Sequence, residues 1–219
     1  MKRLYLLALV TIIPLFGISQ TVDEINKPVI SGLDEVAPFH EGLAAVRKGN
    51  QWGFMDKEGV LVIAFRDDVL SNSAESNTPG VSSIGYPKFK EGLCIILQPT
   101  NEGIPLYGFM NTKGETVIEP QFVNISPFED AYTVGIFVRK SLRGKNEFQL
   151  EIYDYSFTEV LVNKAGEMVW PIQERQNILM NKKRFKIPEL HAKLLSNDLL
   201  AVKEKDNQWK VVQVALDGD

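Results

Sequence analysis

The chain of 219 residues is 44% hydrophobic and 24% charged, with 16 Gly and 11 Pro, an ordinary globular composition that excludes a disordered or fibrous protein. Its net charge of -4 repels phosphate and argues against nucleic acid as a ligand, and a single cysteine, Cys94, excludes an internal disulfide. A chain of this length can bury one sizeable core or a short stack of smaller units.

The N-terminus has the layout of a signal peptide. Met1-Lys2-Arg3 is positive, Leu4 to Phe16 is apolar apart from Thr11 and Pro14, and Gly17 and Ser19 are small at the two positions a signal peptidase reads. Cleavage is expected after Ser19. The apolar run is shorter than the roughly 20 residues of a spanning helix. No Cys follows it to carry a lipid. The expected location is periplasmic or secreted, without an integral span after cleavage; an uncleaved anchor is the other reading.

From there the chain repeats itself with a period of about 50 residues, within the range of repeat folds. Phe39-His40-Glu41-Gly42-Leu43 returns as Phe89-Lys90-Glu91-Gly92-Leu93 and, more weakly, as Phe128-Glu129-Asp130-Ala131. Trp52-Gly53-Phe54-Met55-Asp56-Lys57-Glu58-Gly59 returns as Tyr107-Gly108-Phe109-Met110-Asn111-Thr112-Lys113-Gly114, and its second half as Val162-Asn163-Lys164-Ala165-Gly166. An apolar pair follows each time (Val62-Ile63, Val117-Ile118, Val169-Trp170), and Pro120 and Pro171 end the second and third runs. A worn fourth copy is visible in Leu200-Ala201-Val202 and Asn207-Gln208-Trp209.

Each copy reads as a β-hairpin. Asp56, Asn111 and Asn163 stand three residues before a Gly, where the acid or amide bonds its own backbone and Gly takes the positive φ of a type I turn with a G1 bulge. Apolar strands flank the turns: Leu43 to Val46, Leu93 to Leu97, Val60 to Phe65. No helical apolar stripe runs between 20 and 170.

These residues resemble the WG-repeat family, whose pattern is close to Phe-x-Glu-Gly-Leu-Ala-x-Val followed by Trp-Gly-Phe-Met/Ile-Asp-x-x-Gly-x-x-Val-Ile-x-Pro. The resemblance covers about residues 29–172 and, more faintly, 198–218, with Tyr107 in place of the second Trp. It implies a β-rich repeat array, often exported, of generally undefined biochemical role.

Two segments interrupt the pattern. Ser71 to Lys88 reads as an inserted surface loop, and residues 141–160 as an extra hairpin in which Phe148 to Tyr153 alternates as a strand. Between Gln173 and Asn197 the repeat is lost, and Pro188 to Leu195 is read as one short helix with Pro in its first turn.

The chain offers little catalytic chemistry. His40 and His191 sit in unrelated contexts, no HExxH, CxxC, GxSxG or P-loop string is present, and His40 stands where Lys90 and Glu129 stand in sister copies, as a solvent-facing turn position does. Glu41, Glu91 and Asp130 form the best acidic constellation. A glycosidase pair would need two of them about 5 to 10 Å apart, but recurrence in every copy favours turn chemistry. Asp67-Asp68 and Asp217-Gly218-Asp219 lack the ligand spacing of a calcium loop and read as a polar loop and a hairpin turn. Cys94, aligned with Ala44, reads as a buried small hydrophobe. Lys182-Lys183-Arg184 with Lys186 reads as a solvated strand or loop edge. Trp52, Tyr107 and Trp209 read as core or inter-repeat packing; an exposed row of them would favour sugar stacking.

The expectation is an all-β protein: a signal peptide (1–19), then a WG-type domain (20–219) with copies at about 29–70, 89–125, 128–172 and a degenerate 198–219. The hairpins stack as a curved solenoid-like or a partial propeller-like array, with one short helix near 188–196. The expected function is an exported, non-catalytic interaction module, with a structural component of a cell-envelope assembly as the alternative. The expected partner is another protein or an envelope glycan, and no catalytic residue, cofactor or metal ligand is assigned.

Overall fold

The computed structural model describes residues 22–71 and 79–216, so the signal-peptide reading, residues 72–78 of the inserted loop and the Asp217-Gly218-Asp219 turn lie outside it. The chain divides into two units, residues 1–31 and 32–219. The described part of the first contains one helical turn, α1 (Val22–Ile25), where the backbone and side-chain amides of Asn26 both donate to the Val22 carbonyl at 2.9 and 3.0 Å.

The second unit is built of strands. In chain order they are β1 (Glu35–His40), β2 (Leu43–Lys48), β3 (Gln51–Met55), β4 (Leu61–Arg66), β5 (Leu93–Pro99), β6 (Pro105–Asn111), β7 (Thr116–Ile125), β8 (Tyr132–Lys145), β9 (Glu151–Asn163), β10 (Met168–Arg175), β11 (Ala192–Ser196), β12 (Leu199–Lys203) and β13 (Trp209–Gln213). They form three sheets in which sequence neighbours are spatial neighbours: β1 to β4, β5 to β10, and β11 to β13, every pairing antiparallel.

Local chemistry sets the turns. Gly59, Gly114 and Gly166 have φ of 81, 81 and 82°. Each donates its N–H to the carbonyl of the Asp or Asn three residues earlier, at 3.1, 2.9 and 2.9 Å. The side-chain oxygen of that Asp or Asn also accepts two amides, as Asn111 Oδ1 does from Lys113 at 2.9 Å and Glu115 at 3.0 Å. This is the type I turn with a G1 bulge expected from the sequence. The Glu-Gly turns are of another kind. Both central residues have positive φ, at 50 and 83° for Glu41-Gly42 and 54 and 79° for Glu91-Gly92, which is the type I′ turn that matches strand twist.

The glycine of Trp52-Gly53 and Tyr107-Gly108 has a different cause. The strand that follows is bulged opposite it, between the Trp52–Arg66 and Phe54–Ile63 pairs and between the Tyr107–Phe122 and Phe109–Ile118 pairs. The bulge drives backbone against the glycine. A Cβ on Gly108 would lie 2.3 Å from the Ile118 carbonyl oxygen and 2.7 Å from the Pro120 nitrogen; on Gly53 it would lie 2.9 Å from the Ile63 oxygen. Pro120 therefore does not end its strand. It sits within β7 at the bulge, where the missing N–H breaks no regular ladder.

Each sheet face is hidden by the next copy. Trp52, Phe54 and Ile63 pack against Phe89, Cys94, Ile96 and Met110; Tyr107, Phe109 and Ile118 pack with Phe128, Val160 and Val162; Leu161 and Ile136 pack with Leu190, Leu200 and Val202. The first two seams carry an edge-to-face ring pair, Phe54–Phe89 and Phe109–Phe128, each with centroids 4.8 Å apart. Such a pair adds about 0.5–1.5 kcal/mol to area burial.

Three expectations need correction. Residues 188–196 are not a helix. Ala192–Ser196 is β11, paired with β12, and the residues before it are held extended by partners from elsewhere: the Pro188 carbonyl accepts the Asn124 side-chain amide at 2.7 Å. Residues 141–160 are not an added hairpin but the continuation of β8 and β9, and Phe148 to Leu150 lie in the turn between them, where Asn146 plays the part of Asn111. The described end of the inserted loop is more than surface, since Val81 and Ile84 are buried in the core and Asn124 Oδ1 accepts the Val81 amide at 3.0 Å. The Lys182-Lys183-Arg184 run is the solvated loop of its two expected readings, an exposed turn built on Asn181 with Phe185 partly buried beside it.

Gly108→Ala is expected to destabilise the protein by about 1–3 kcal/mol, as overpacking against backbone does. Urea denaturation would read this as a lower midpoint at unchanged slope; an unchanged midpoint would show that the bulge does not require glycine.

Candidate interaction surfaces

The acids of the Glu-Gly turns bridge copies rather than closing their own turns. The Glu41 carboxylate accepts the backbone amides of Glu91 and Gly92 at 2.5 and 2.7 Å, and Glu91 in turn accepts the Ala131 amide at 2.9 Å. Lys164 approaches Glu91 to 2.9 Å. Partial burial pushes the Glu91 carboxyl up, but the Lys164 ammonium and the turn amides outweigh it and hold it below its ordinary value. Asp130, third in the series, accepts no hydrogen bond at its carboxylate among the described residues. Glu41 and Glu91 are thus steps of a staircase, each answering the next turn, and Asp130 answers none among the described residues.

The histidines have structural partners. A groove of about 600 Å³ brings His40 and Glu41 together with Lys88, Lys90, Glu129 and Tyr132, but neither His191 nor Glu91 lines it. His40 Nε2 shares a hydrogen bond with the Tyr86 hydroxyl at 2.9 Å, so the position is half-buried rather than solvent-facing. Lys90 pairs with Glu129 at 3.3 Å. His191 Nε2 lies 3.3 Å from Arg175 Nη2; desolvation, then the charge of Arg175, lowers its pKa. Asp68 pairs with Arg66. Cys94 is buried, and desolvation pushes its thiol up to about 12, which suits packing rather than nucleophilic attack. No cluster of three or more His, Cys, Asp or Glu that could hold a metal occurs among the described residues.

The sequence reading did not place Glu159, which is fully buried. It stands four residues before Asn163, as Trp52 and Tyr107 stand before Asp56 and Asn111. Its carboxylate accepts the His191 and Ala192 amides at 2.6 and 2.8 Å, Gln173 Nε2 at 3.0 Å and Arg175 Nη1 at 2.8 Å. A buried charge with four donors ties the fourth copy to the third. Counting back from the turn would have revealed a carboxylate in an aromatic's place.

Two surfaces lack such internal partners. One is the far end of the β8–β9 hairpin. Pairing with β7 stops at Phe137 and pairing with β10 stops at Phe157, so beyond these the two strands pair only with each other. Near the tip, Phe148, Leu150, Leu142 and Ile152 are 81, 63, 57 and 40% exposed. The arm is pinned at its base, where Lys140 Nζ and the Tyr155 hydroxyl meet Glu102 Oε1 at 3.0 and 3.1 Å and Lys140 Nζ lies 4.1 Å over the Tyr153 ring. The Lys140 ammonium holds the Glu102 carboxyl down at about 2. The other surface is the outward face of the last sheet, where Trp209 is 49% exposed although Trp52 and Tyr107 are buried. Lys193 Nζ lies 5.0 Å from the centre of the Trp209 ring.

Stacked β-hairpins of one design make this a β-repeat protein. The family described as WG containing repeat matches residues 22–52 and 107–134. No curated protein matches the chain. A computationally designed protein, Ika4, is similar at 12% identity over 86% of this chain and 95% of that one, at a TM-score of 0.35.

Two predictions follow from the bonds above. Glu91→Ala should lose about 1–3 kcal/mol in thermal or urea unfolding, as a charged acceptor's loss does, and Asp130→Ala much less; equal losses would refute the staircase. A carboxyl lowered on folding adds stability above its unfolded value of 4.5, lost as pH falls toward about 2, because the unfolded chain takes up the proton first. Lys140→Met should flatten stability against pH across that window, and an unchanged slope would show that the pair is solvent-screened.

Proposed function

We propose that the chain is an exported, non-catalytic interaction module that binds another protein through the tip of the β8–β9 arm. The observation that carries this reading is the group of four exposed apolar side chains on a two-stranded ribbon standing clear of its neighbours. Exposed apolar groups gathered in one place are the mark of a contact surface. A bare hairpin is marginal alone, and the Lys140–Glu102–Tyr155 pinning at its base limits the freedom lost on docking.

The chemistry favours a protein over a glycan or a lipid surface. Trp52 and Tyr107 are buried and a lysine lies over the Trp209 ring, so no row of bare aromatics is available for sugars. Glu147, Glu151 and Asp154 offset most of the charge of Arg139, Lys140, Arg143 and Lys145, so the arm is not the basic surface that anionic headgroups attract. The basic signal-type leader supports export, and the acidic balance of the chain disfavours nucleic acid.

A photo-reactive residue in place of Phe148, irradiated in the native cell envelope, is expected to capture one protein in stoichiometric yield, whereas the same residue in place of exposed Val117 on β7 is not. Capture of lipid, or equal yields from both positions, would overturn the proposal.

A further inference from the structure

Because the copies are equivalent, the covered seams show what the uncovered ends lack. At the position of Trp52, Tyr107 and Glu159 the side chain is at most 5% exposed, and at that of Phe54, Phe109 and Leu161 at most 1%; in each case the next copy covers it. Trp209 pairs with Lys203 as Trp52 pairs with Arg47, and Val211 with Ala201 as Phe54 pairs with Ala45, so β13 presents the same face. There Trp209 and Val211 are 49 and 61% exposed, with Leu195 of β11 at 50%.

At the opposite end the plug of the complementary half is uncovered, although Ala44 and Val46, which stand where Cys94 and Ile96 do, are fully buried. Phe89 and Phe128 plug onto the ring of the preceding copy and are 2 and 0% exposed; Phe39, their equivalent, is 45% exposed, and Val36 beside it 56%. Glu91 and Gly92 donate their amides to the acid of the preceding turn, but the amides of Glu41 and Gly42 find no acceptor among the described residues. One chain therefore displays an unfilled receiving face and an unplaced plug, related by the interface it already repeats within itself.

We infer that the β12–β13 face seats the Phe39 end of a second copy of this chain, continuing the stack from molecule to molecule. Trp209 and Val211 receive Phe39 and Val36 as Phe54 receives Phe89. The contact is heterologous, one face against a different one, so it leaves each added molecule with the same two ends and does not close on itself. The inference is independent of the β8–β9 arm.

Sedimentation of the purified protein tests it. The weight-average mass is expected to rise continuously with concentration beyond that of a dimer. Phe39→Asp and Val211→Asp should each be monomeric alone, yet an equimolar mixture should form a 1:1 dimer, since each variant retains the end the other has lost. Leu195→Asp provides a second block of the receiving face, and unchanged unfolding midpoints show that the variants are folded; Phe148→Ser should assemble as the parent does. A parent monomeric at all concentrations, a variant that dimerises alone, or a mixture that stays monomeric would overturn the inference.

Discussion

The fold depends on the seam between one copy and the next. A four-stranded meander has two faces and cannot close over both, so an unaccompanied copy would leave a row of Trp, Phe and Ile in water. The seam solves this with two elements set side by side. A Phe from the Phe-x-Glu-Gly turn plugs onto the ring that follows Trp-Gly, and an acid from the earlier turn takes the backbone amides of the later one. The first is apolar and tolerant of geometry; the second is directional and fixes register. The acid is able to cross because its own residue has positive φ in a type I′ turn. The strain tolerated at Glu41 and Glu91 is thus coupled to their bonds with the next copy.

That seam explains which substitutions the repeat absorbs. Where the third copy gives up its aromatic for Glu159, the seam to the fourth copy becomes ionic: the carboxylate gathers two backbone amides, a glutamine and an arginine. A charge at this depth is tolerated only because all these donors converge on it. The third and fourth copies are consequently held by a polar lock with an apolar surround, whereas the earlier seams are ring-on-ring. Worn sequence in the later copies does not mean a looser joint.

Much of this was legible in the sequence where the cause is local. The Asp or Asn three residues before Gly specifies its turn unaided, and Gly59, Gly114 and Gly166 share one conformation within a degree. The all-β architecture followed from those turns and the strands between them. Illegible were the features whose cause lies elsewhere in the chain. Pro188 to Leu195 has helical credentials, but Glu159 and Asn124 reach its backbone from 32 and 64 residues away and keep it extended. The acids of the Glu-Gly turns were rightly placed in turns, yet the turn each one serves is the next, 40 to 51 residues on. A hairpin at 141–160 was legible but its standing free was not, because hairpin alternation reads alike whether or not neighbouring strands flank it.

Function follows the same division. A stack that consumes its own apolar faces leaves a binding surface only where the repeat is broken or where it stops. The β8–β9 strands break it by outrunning their neighbours, and the ribbon they form carries apolar residues that no copy of the repeat requires. In the first and last described copies the exposed residues are those the repeat does require. Phe148 and Leu150 have no equivalents to tell what covers them, so their partner need bear no likeness to a repeat. Phe39 and Val211 have equivalents in the first two seams, and the shape they await is already drawn inside the molecule. The two surfaces therefore call for different chemistry, and one protein can use both at once.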